Sequence, residues 1–483
     1  MTTTRQRSSQ PHAIRFGTDG WRAIIADQFT FDHVRAIAQA VADYLHECGG
    51  AACGLAVGFD TRFLSQDFAR VLAEVVAGNG IPVLLSRSWI PTPALSLAVV
   101  QRGLAGGVMI TASHNPFRYN GVKFKAGWGG PAPVEMTRAI EGHLFKRAPR
   151  LDSRRIRAHL ELCDFRKEYF RRLSDLVRFR ILQAEARTVQ CVAFDSMNGA
   201  GAGWAEALFE RALGRGRTLS VRGHSTNPLF PDCHGPEPIA ANLRPLASIC
   251  RRNRCVGFAT DGDADRFGVL DERGRFVQLH DLMPLLFEYL VESRGWRGAV
   301  IRTTSMAATV DQMAAAMGRA SVEVPVGFKN VSEKMREMEF VIAGEESGGF
   351  GYQGHIPERD GILSCLLALE MLAVRDRPMS GLVRALRRRF GPFAYDRIDE
   401  YGDLSALRAR LRALRRAPPD RVGAFRVERV TLIDGIKLYF AGGAWMLIRV
   451  SDTEPLFRVY VAGRSAGVVK QILDEGRRLM TGP

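Results

Sequence analysis

Short apolar runs alternate with longer amphipathic segments along the first three-quarters of the chain. An apolar run at 54–59 precedes an amphipathic segment at 65–78, and a run at 299–302 precedes a similar segment at 306–317. Short runs of this kind predict strands, and segments with an apolar period of about 3.6 residues predict helices. The alternation therefore predicts an α/β fold of βαβ units with mixed or parallel sheets.

The last quarter of the chain has a different pattern. Four closely spaced strand-like runs lie at 426–432, 436–440, 445–450 and 456–461. One amphipathic helical segment follows them at 466–480. The dipeptides Asp434-Gly435 and Gly442-Gly443 between the runs are typical of hairpin turns. We therefore expect a small antiparallel α+β module at the C-terminal end.

The length of 483 residues predicts three or four domains. Charged segments at 146–157 and 271–275 mark two of the seams between them. Boundaries are expected near 155, 270 and 390. The predicted domains are three α/β domains at 1–155, 156–270 and 271–390 and an α+β domain at 391–483.

Composition excludes several classes of protein. No apolar run approaches the roughly 20 residues of a membrane-spanning helix, and the polar N-terminal segment lacks the apolar stretch of a secretory signal. The eight cysteines are scattered without a Cys-x-x-Cys pair, which is typical of a reducing compartment. We expect a cytoplasmic protein without a membrane partner, either a monomer or a homodimer.

The net charge of +16 raises the question of nucleic-acid binding. That function needs a concentrated basic stripe or a recognisable module. The basic residues are instead spread out, and the densest runs, at 146–157 and 408–421, are typical of exposed helix faces and connections. We expect no nucleic-acid partner, although a positive field favours the approach of an anionic substrate.

The segment Thr111-Ala112-Ser113-His114-Asn115-Pro116 follows a strand-like run at 106–110. Pro116 forces a turn because proline fixes φ and biases its predecessor away from helix. A serine at this corner is held out from the sheet. A single loop serine is most often a turn or cap residue, and the Gly-x-Ser-x-Gly elbow of acyl transfer is not present. Ser113 therefore gains a catalytic interpretation only from the segments described next.

The segment Asp261-Gly262-Asp263-Ala264-Asp265-Arg266 lies between strand-like runs at 255–259 and 267–270. Three carboxylates at alternate positions converge on one cation if the loop curls, and oxygen ligands select Mg²⁺ or Ca²⁺. An EF-hand is excluded because Arg266 stands where that loop needs glycine and because the flanks predict strands. A solvated acidic turn fits poorly between two apolar runs. We expect Mg²⁺, with Arg266 beside it to neutralise phosphate charge.

Two further loops carry groups that suit a phosphorylated sugar. The loop at 344–350 offers two carboxylates and a hydroxyl to neighbouring sugar hydroxyls, although alone it is only an acidic loop. The loop at 449–455, with Arg458 after it, places two hydroxyls and two arginines around a tight turn. Such a turn binds anions, and the alternative is an ordinary hairpin with surface arginines.

These four segments, in this order, resemble the α-D-phosphohexomutase family, which includes phosphoglucomutases, phosphomannomutases and phosphoglucosamine mutases. The resemblance spans nearly the whole chain and includes Phe16-Gly17-Thr18-Asp19-Gly20-Trp21-Arg22 and Glu358-Arg359-Asp360-Gly361. It implies a four-domain, heart-shaped architecture with three similar mixed α/β domains and a smaller C-terminal phosphate-binding domain. The active site is then expected in the central cleft, with one loop from each domain.

The resemblance also implies an activity and a set of site residues. The activity is transfer of a phosphoryl group between C1 and C6 of a hexose through phosphorylated Ser113, with Mg²⁺ as cofactor and a hexose 1,6-bisphosphate as intermediate. The implied catalytic residues are Ser113, His114, Arg22 and Lys123, with Lys123 as candidate acid or base. The implied metal ligands are Ser113, Asp261, Asp263 and Asp265. The implied substrate contacts are Arg266, Lys329, Glu345, Ser347, Arg359, Arg449, Ser451, Thr453 and Arg458.

Two positions refine this expectation. Asp452 stands where the family usually has Gly or Asn, and we expect its carboxylate to face away from the phosphate, toward Arg449 or Arg458. Glu346 stands where phosphoglucosamine mutases tend to have Gln, which argues against an amino sugar. The expected substrate is a glucose phosphate. The alternatives are a phosphomannomutase or a dual glucose/mannose enzyme, and then a phosphoglucosamine mutase or a non-catalytic phosphosugar-binding protein.

Overall fold

The computed structural model describes residues 14–482 except 18, 186–188, 224–225 and 452–454. Within these residues the chain forms three α/β units and a C-terminal antiparallel sheet, as the sequence predicts. No helix of the described part is long and apolar enough to cross a membrane.

The first unit is a mixed sheet with helices on both faces. Consecutive residues of its central strand enter different hydrophobic clusters, Ala56 on one face and Val57 on the other, so both faces are buried. The strands, in the spatial order β1-β5-β4-β2-β3-β6, are β1 (Trp21–Ile24), β2 (Leu55–Phe59), β3 (Val83–Ser86), β4 (Gly106–Ile110), β5 (Tyr119–Ala126) and β6 (Leu160–Cys163). The helices are α1 (Phe31–Glu47), α2 (Ser65–Gly78), α3 (Thr92–Gln101), α4 (Val134–His143) and α5 (Ser153–His159).

The second unit has the spatial strand order β11-β10-β9-β7-β8. Its strands are β7 (Val192–Asp195), β8 (Thr218–Ser220), β9 (Val256–Thr260), β10 (Phe267–Leu270) and β11 (Phe276–Val277). Its helices are α6 (Arg166–Leu176), α7 (Phe179–Glu185), α8 (Ala205–Leu213) and α9 (Arg244–Asn253). The sixth strand of the first sheet lies beyond residue 155, and the boundaries between domains stay predictions.

The third unit has the spatial strand order β13-β12-β14-β15. Its strands are β12 (Ala299–Thr303), β13 (Ser321–Val324), β14 (Phe340–Gly344) and β15 (Phe350–Tyr352). Its helices are α10 (Leu279–Arg294), α11 (Thr309–Ala316), α12 (Phe328–Glu337), α13 (Gly361–Arg375) and α14 (Met379–Phe390). One hydrophobic cluster joins the first three units, because Leu95, Phe194 and Leu286 all belong to it.

The fourth unit is an antiparallel sheet with the spatial strand order β16-β21-β20-β19-β18-β17. Its strands are β16 (Ala394–Tyr401), β17 (Arg421–Val422), β18 (Phe425–Thr431), β19 (Ile436–Phe440), β20 (Trp445–Val450) and β21 (Leu456–Gly463). Helices α15 (Leu404–Arg416) and α16 (Ala466–Thr481) cover one face. On the other face, Trp445 and Tyr460 pack against Val326 of the third unit.

The four loops that the sequence singles out occupy equivalent places. Each connects two neighbouring antiparallel strands: β4 to β5, β9 to β10, β14 to β15 and β20 to β21. A short connection between paired strands fixes both of its ends on hydrogen-bonded backbone. The fold therefore gives each functional loop rigid support.

Lys437 on β19 joins the third and fourth units. It is 2% exposed, and its Nζ donates to the carbonyl oxygen of Thr304 at 2.6 Å and to Glu323 at 3.2 Å. Burial, followed by the charge of Arg302, lowers the pKa of this ammonium group from its ordinary 10.5 to about 8. The native protein thus releases this proton at a lower pH than the unfolded chain.

Stability should depend on pH through Lys437. Between pH 8 and 10.5 the unfolded lysine holds a proton that the native one has lost, so the free energy of unfolding rises with pH. Relative to Lys437→Met, wild type should gain about 2 kcal/mol between pH 8 and 10, measured by denaturant unfolding. Lys470→Met, at an exposed position, is the control. A wild-type difference from Lys437→Met that does not change with pH would contradict the prediction.

Candidate active site

A cavity of about 830 Å³ lies where the four units meet. All four loops or their neighbours contribute to its wall. The predicted site residues that line it are Arg22, His114, Arg266, Glu345, Ser347, Arg359, Arg449 and Arg458. Ser113, Lys123 and the three aspartates are fully buried next to this wall.

Ser113 is held in a strained backbone conformation. Its φ is +52°, in the left-handed region that non-glycine residues rarely adopt. The backbone NH of Ser113 donates to Thr111 Oγ1 at 2.9 Å, and the guanidinium of Arg62 donates to the carbonyl oxygens of Ser113 and Asn115 at 2.5 and 2.6 Å. An ion pair with Asp60 holds Arg62 in turn. These contacts fix the direction of the serine side chain.

The hydroxyl of Ser113 faces the acidic loop of the second unit. Its Oγ donates to Asp261 Oδ2 at 2.7 Å. The two loops also touch through their backbones, because a Cβ atom at Gly262 would lie 2.3 Å from the carbonyl oxygen of Ser113. Only glycine permits this approach.

A Gly262→Ala substitution should therefore push the serine and acidic loops apart. A displacement near 1 Å at reacting groups lowers turnover by roughly 100-fold, and we expect a fall in kcat of that order in the folded variant. Gly142→Ala is the matched control, since a Cβ there meets nothing within 4 Å. An unchanged kcat in Gly262→Ala would show that the contact between the loops has no catalytic importance.

The three aspartates converge as a metal site requires. Each offers an oxygen within 4.8 Å of the other two, and all three are buried. Asp263 Oδ2 accepts from Thr92 Oγ1 at 2.6 Å and from Lys123 Nζ at 2.8 Å. Within the described residues, the Oδ1 atoms of Asp263 and Asp265 have no hydrogen-bond partner. Buried carboxylate oxygens without donors fit a hard cation such as Mg²⁺.

The electrostatics of the trio support the same interpretation. Burial, together with the charges of Asp265 and Asp263, raises the pKa of Asp261 well above its ordinary value. Burial also acts to raise the pKa of Asp263, but Lys123 holds it below the ordinary value. Three buried carboxylates are therefore only partly compensated by neighbouring cations, and a divalent ion would supply the missing positive charge.

Lys123 is the central cation of the site. Its Nζ lies 2.9 Å from Asp19, 2.8 Å from Asp263 and 3.0 Å from Asp265. Burial alone would lower the pKa of this ammonium, but the three carboxylates raise it above its ordinary value. The geometry therefore favours a protonated Lys123, which could donate a proton or neutralise charge.

Asp19 is a site residue whose role no local pattern indicates. Besides Lys123, its carboxylate pairs with Arg359, and it lines the cavity. Burial would raise the pKa of Asp19, but the neighbouring cations, Lys123 first among them, hold it well below its ordinary value. Arg359 also contacts Asp265 at 2.8 Å, so one network links loops of three units.

Two predicted catalytic residues border the serine from the cavity side. Arg22 Nη1 donates to Asn115 Oδ1 at 2.7 Å, next to the serine loop. His114 Nδ1 lies 3.3 Å from Ser113 Oγ. Burial, followed by the charges of Arg266 and Arg22, lowers the pKa of His114 well below its ordinary value, which favours a neutral imidazole.

The loop at 344–350 (the sugar loop) is anchored by its own carboxylates. Glu345 Oε1 accepts from the backbone NH of Gly327 at 2.9 Å, and burial raises the pKa of Glu345. Glu346 Oε2 accepts from Ser305 Oγ at 2.5 Å. Lys329 is not among the described residues that line the cavity, and its substrate contact stays a prediction.

The structure describes part of the loop at 449–455 (the phosphate loop). Arg449 pairs with Asp434 at 2.6 Å, and the backbone NH of buried Ser451 donates to Leu456. Arg458 pairs with Asp399 at 3.0 Å. Thr453 and Asp452 lie outside the described residues, so the expected direction of the Asp452 carboxylate stays a prediction. Further cavity residues of this unit that the sequence missed are Arg397, Tyr401 and Tyr460.

The comparisons with known proteins cover nearly the full chain. Profiles described as phosphoglucomutase/phosphomannomutase, alpha/beta/alpha domains I, II and III, match residues 13–150, 167–274 and 279–390. A probable phosphoglucosamine mutase of Thermococcus gammatolerans is 28% identical, over 96% of this chain and 98% of the relative. A phosphoglucomutase/phosphomannomutase of Thermococcus kodakarensis is 29% identical, with the same two coverages. The crystal structure of a putative phosphomannomutase from Thermus thermophilus is 35% identical, with a TM-score of 0.85 over 97% of this chain and 99% of that one.

Fold and site together define an enzyme of the phosphotransferase class that acts as a mutase. The chain belongs to the α-D-phosphohexomutase family. The predicted family and fold class are thereby confirmed. The names of the relatives include glucosamine, glucose and mannose, so the comparisons do not select one sugar as the substrate.

Proposed function

We propose that this enzyme interconverts glucose 1-phosphate and glucose 6-phosphate through phosphorylated Ser113 and glucose 1,6-bisphosphate. The observation that carries the proposal is the 2.7 Å contact of Ser113 Oγ with Asp261, one of three buried aspartates that suit Mg²⁺. Phosphoryl transfer depends on positioning and charge stabilisation more than on covalent chemistry. The strained loop of Ser113 provides the positioning, and a Mg²⁺ ion held by the three aspartates would provide charge stabilisation.

The chain's own residues divide the work. Phosphorylated Ser113 gives its phosphoryl group to the free hydroxyl of the bound monophosphate, and Arg22 and Lys123 stabilise the charge on the moving group. The attacking hydroxyl releases a proton as its bond to phosphorus forms, and the serine oxygen takes up a proton as its bond to phosphorus breaks. Lys123 gives its proton to the serine oxygen and regains one from the hydroxyl, so the step balances. Bound to the three aspartates, Mg²⁺ would supply further stabilisation of phosphoryl charge.

The bisphosphate must then turn end for end, so that its other phosphoryl group returns to Ser113. Each orientation places one phosphate at Ser113 and the other at the arginines Arg449 and Arg458. Glu345 and Ser347 line the same cavity and offer acceptors to the sugar hydroxyls. A carboxylate and a hydroxyl accept hydrogen bonds from whichever sugar hydroxyls face them, which suits a sugar that binds in two orientations.

Glu346 supports glucose over an amino sugar, because phosphoglucosamine mutases tend to have Gln at this position. A phosphomannomutase or a dual glucose/mannose enzyme is the second candidate. It is favoured by the 35% identity to the putative phosphomannomutase of Thermus thermophilus. Glucose and mannose differ only at C2, so rates on the two sugar phosphates must be compared directly.

Rates on glucose, mannose and glucosamine 1-phosphates, measured side by side with Mg²⁺ and a trace of the matching 1,6-bisphosphate, test the proposal. We expect the highest kcat/KM with glucose 1-phosphate. Comparable values with the mannose ester would make the enzyme a dual one, and a preference for glucosamine would overturn the proposal. No turnover of any of the three would remove the mutase assignment itself.

A further inference from the structure

Three arginines share the face of the C-terminal sheet that borders the cavity. Arg458 on β21 lies opposite Asp399 on β16 and opposite Arg449 on β20. Arg397 is two residues before Asp399 on the same strand and lies opposite Tyr460. Residues two apart on a strand point to the same face. Arg397 therefore belongs to the same surface as the two predicted phosphate-binding arginines, and all three line the cavity.

Carboxylates hold the arginines of this surface in place. Arg449 pairs with Asp434, and Asp399 is shared between Arg458 at 3.0 Å and Arg397 at 2.9 Å. Arg397 and Arg458 thus share one carboxylate of this surface. Arg397 adds a third guanidinium group beside the two predicted phosphate-binding arginines, and charge-assisted hydrogen bonds from guanidinium groups suit a phosphate dianion.

Arg397 also reaches across to the sugar loop. Its Nη1 lies 3.7 Å from Oε1 of Glu346, whose other oxygen is held by Ser305. Arg397 is held by Asp399 through Nε at 2.9 Å, while the contact of its Nη1 with Glu346 is longer, so the outer nitrogens of this guanidinium can contact an incoming anion while Nε stays paired. Its side chain is 35% exposed, on the cavity side.

We propose that Arg397 is a third guanidinium ligand of the non-reacting phosphate, and that its ion pair with Glu346 ties the sugar loop to that phosphate. The ligand is the phosphomonoester dianion of a hexose. This inference rests on the proposed function. Because Arg397 contacts both the sugar loop and the phosphate position, a correctly placed distal phosphate also fixes the sugar loop. Because the intermediate binds in two orientations, such a link holds the sugar loop against the sugar in both of them.

The first test replaces Arg397 by glutamine. Loss of one charge-assisted contact with phosphate should raise KM for glucose 1-phosphate by about 10- to 100-fold, with a much smaller change in kcat. Arg412→Gln is the matched control, with the same charge change at an exposed position of α15 in the same unit. If Arg397→Gln and Arg412→Gln have the same KM, the inference is wrong. If neither the control nor wild type turns over the substrate, the failure is that of the proposed function.

A second measurement separates phosphate binding from a merely structural role. Phosphorylated enzyme is mixed with glucose 6-phosphate or with free glucose, and the loss of the phosphoryl group from the protein is followed by intact mass. Free glucose carries no distal phosphate, so Arg397→Gln should match wild type with glucose and be slower with glucose 6-phosphate. Equal slowing with both acceptors would overturn the role in phosphate binding.

The double variant Arg397→Gln/Glu346→Gln tests the two halves of the inference. If Arg397 contacts phosphate, its loss raises KM even when Glu346 has already lost its charge. The KM of the double variant should therefore exceed that of Glu346→Gln alone. If the double variant has the same KM as Glu346→Gln, Arg397 acts only through the sugar loop and is not a phosphate ligand.

Discussion

Replacement of Ser113 by alanine is expected to abolish interconversion of the hexose phosphates, with a fall in kcat of roughly 10⁴-fold or more. In the proposed reaction its Oγ carries the phosphoryl group in every turnover, and the strained backbone of the loop holds this atom 2.7 Å from Asp261. Alanine keeps the loop but removes the acceptor. The measurement is a coupled assay together with intact mass after exposure to glucose 1,6-bisphosphate, where wild type gains one phosphoryl group and the variant gains none.

Ser88→Ala is the control for this substitution, because Ser88 is an exposed serine of the same domain. It should retain both the activity and the mass gain of wild type. A phosphoryl group found on the Ser113→Ala protein would place the nucleophile elsewhere. Normal turnover without any phosphorylated protein would exclude the phosphoserine route.

Much of the fold could be predicted from local pattern. The segments at 65–78, 106–110 and 445–450 coincide with α2, β4 and β20, because the first has the helical period and the other two are short, nearly continuous apolar runs. Strand β16 was missed. Its sequence, Ala394–Tyr401, is rich in charged residues, and it forms the outer edge of its sheet, where it pairs with β21 and its apolar residues are only partly buried. The cavity residues Arg397 and Tyr401 were missed with it.

The residues of the candidate site likewise fall into two groups, those that the local sequence indicates and those whose role appears only in the tertiary structure. The serine and aspartate segments are recognisable because each carries its chemistry in consecutive residues on one loop. Asp19 lies in the segment at 16–22 that resembles the family, but neither Asp19 nor Arg62 could be given a role, because their roles depend on contacts with distant parts of the chain. Arg62 holds the backbone of a loop about fifty residues away, and Asp19 joins Lys123 to Arg359. Such contacts are made by the tertiary structure and leave no local signal.

Replacement of Asp263 by asparagine is expected to remove Mg²⁺ binding and, with it, activity. In wild type, Oδ2 accepts from Lys123 and Thr92, while Oδ1 has no partner among the described residues. In the variant these two donors will select the amide oxygen, since the amide nitrogen cannot accept from them. The NH₂ group then occupies the place of Oδ1 and points a donor at the cation. We expect a loss of at least about 100-fold in Mg²⁺ affinity, because the change replaces a ligand and removes a charge.

Thermal unfolding with and without Mg²⁺ measures this effect independently of turnover. At Mg²⁺ concentrations about 100 times its Kd, a native-state ligand adds about 2.7 kcal/mol to the free energy of unfolding, so wild type should melt at a higher temperature and Asp263→Asn should not respond. Asp175→Asn, at an exposed position of α6, should respond like wild type. Because Asp263→Asn also takes a negative charge from buried Lys123, circular dichroism must first show that the variant is folded at the assay temperature. A folded variant that Mg²⁺ stabilises as much as wild type would mean that Asp263 is not a ligand, and the acidic trio would then serve only to hold Lys123 and Arg359 in place.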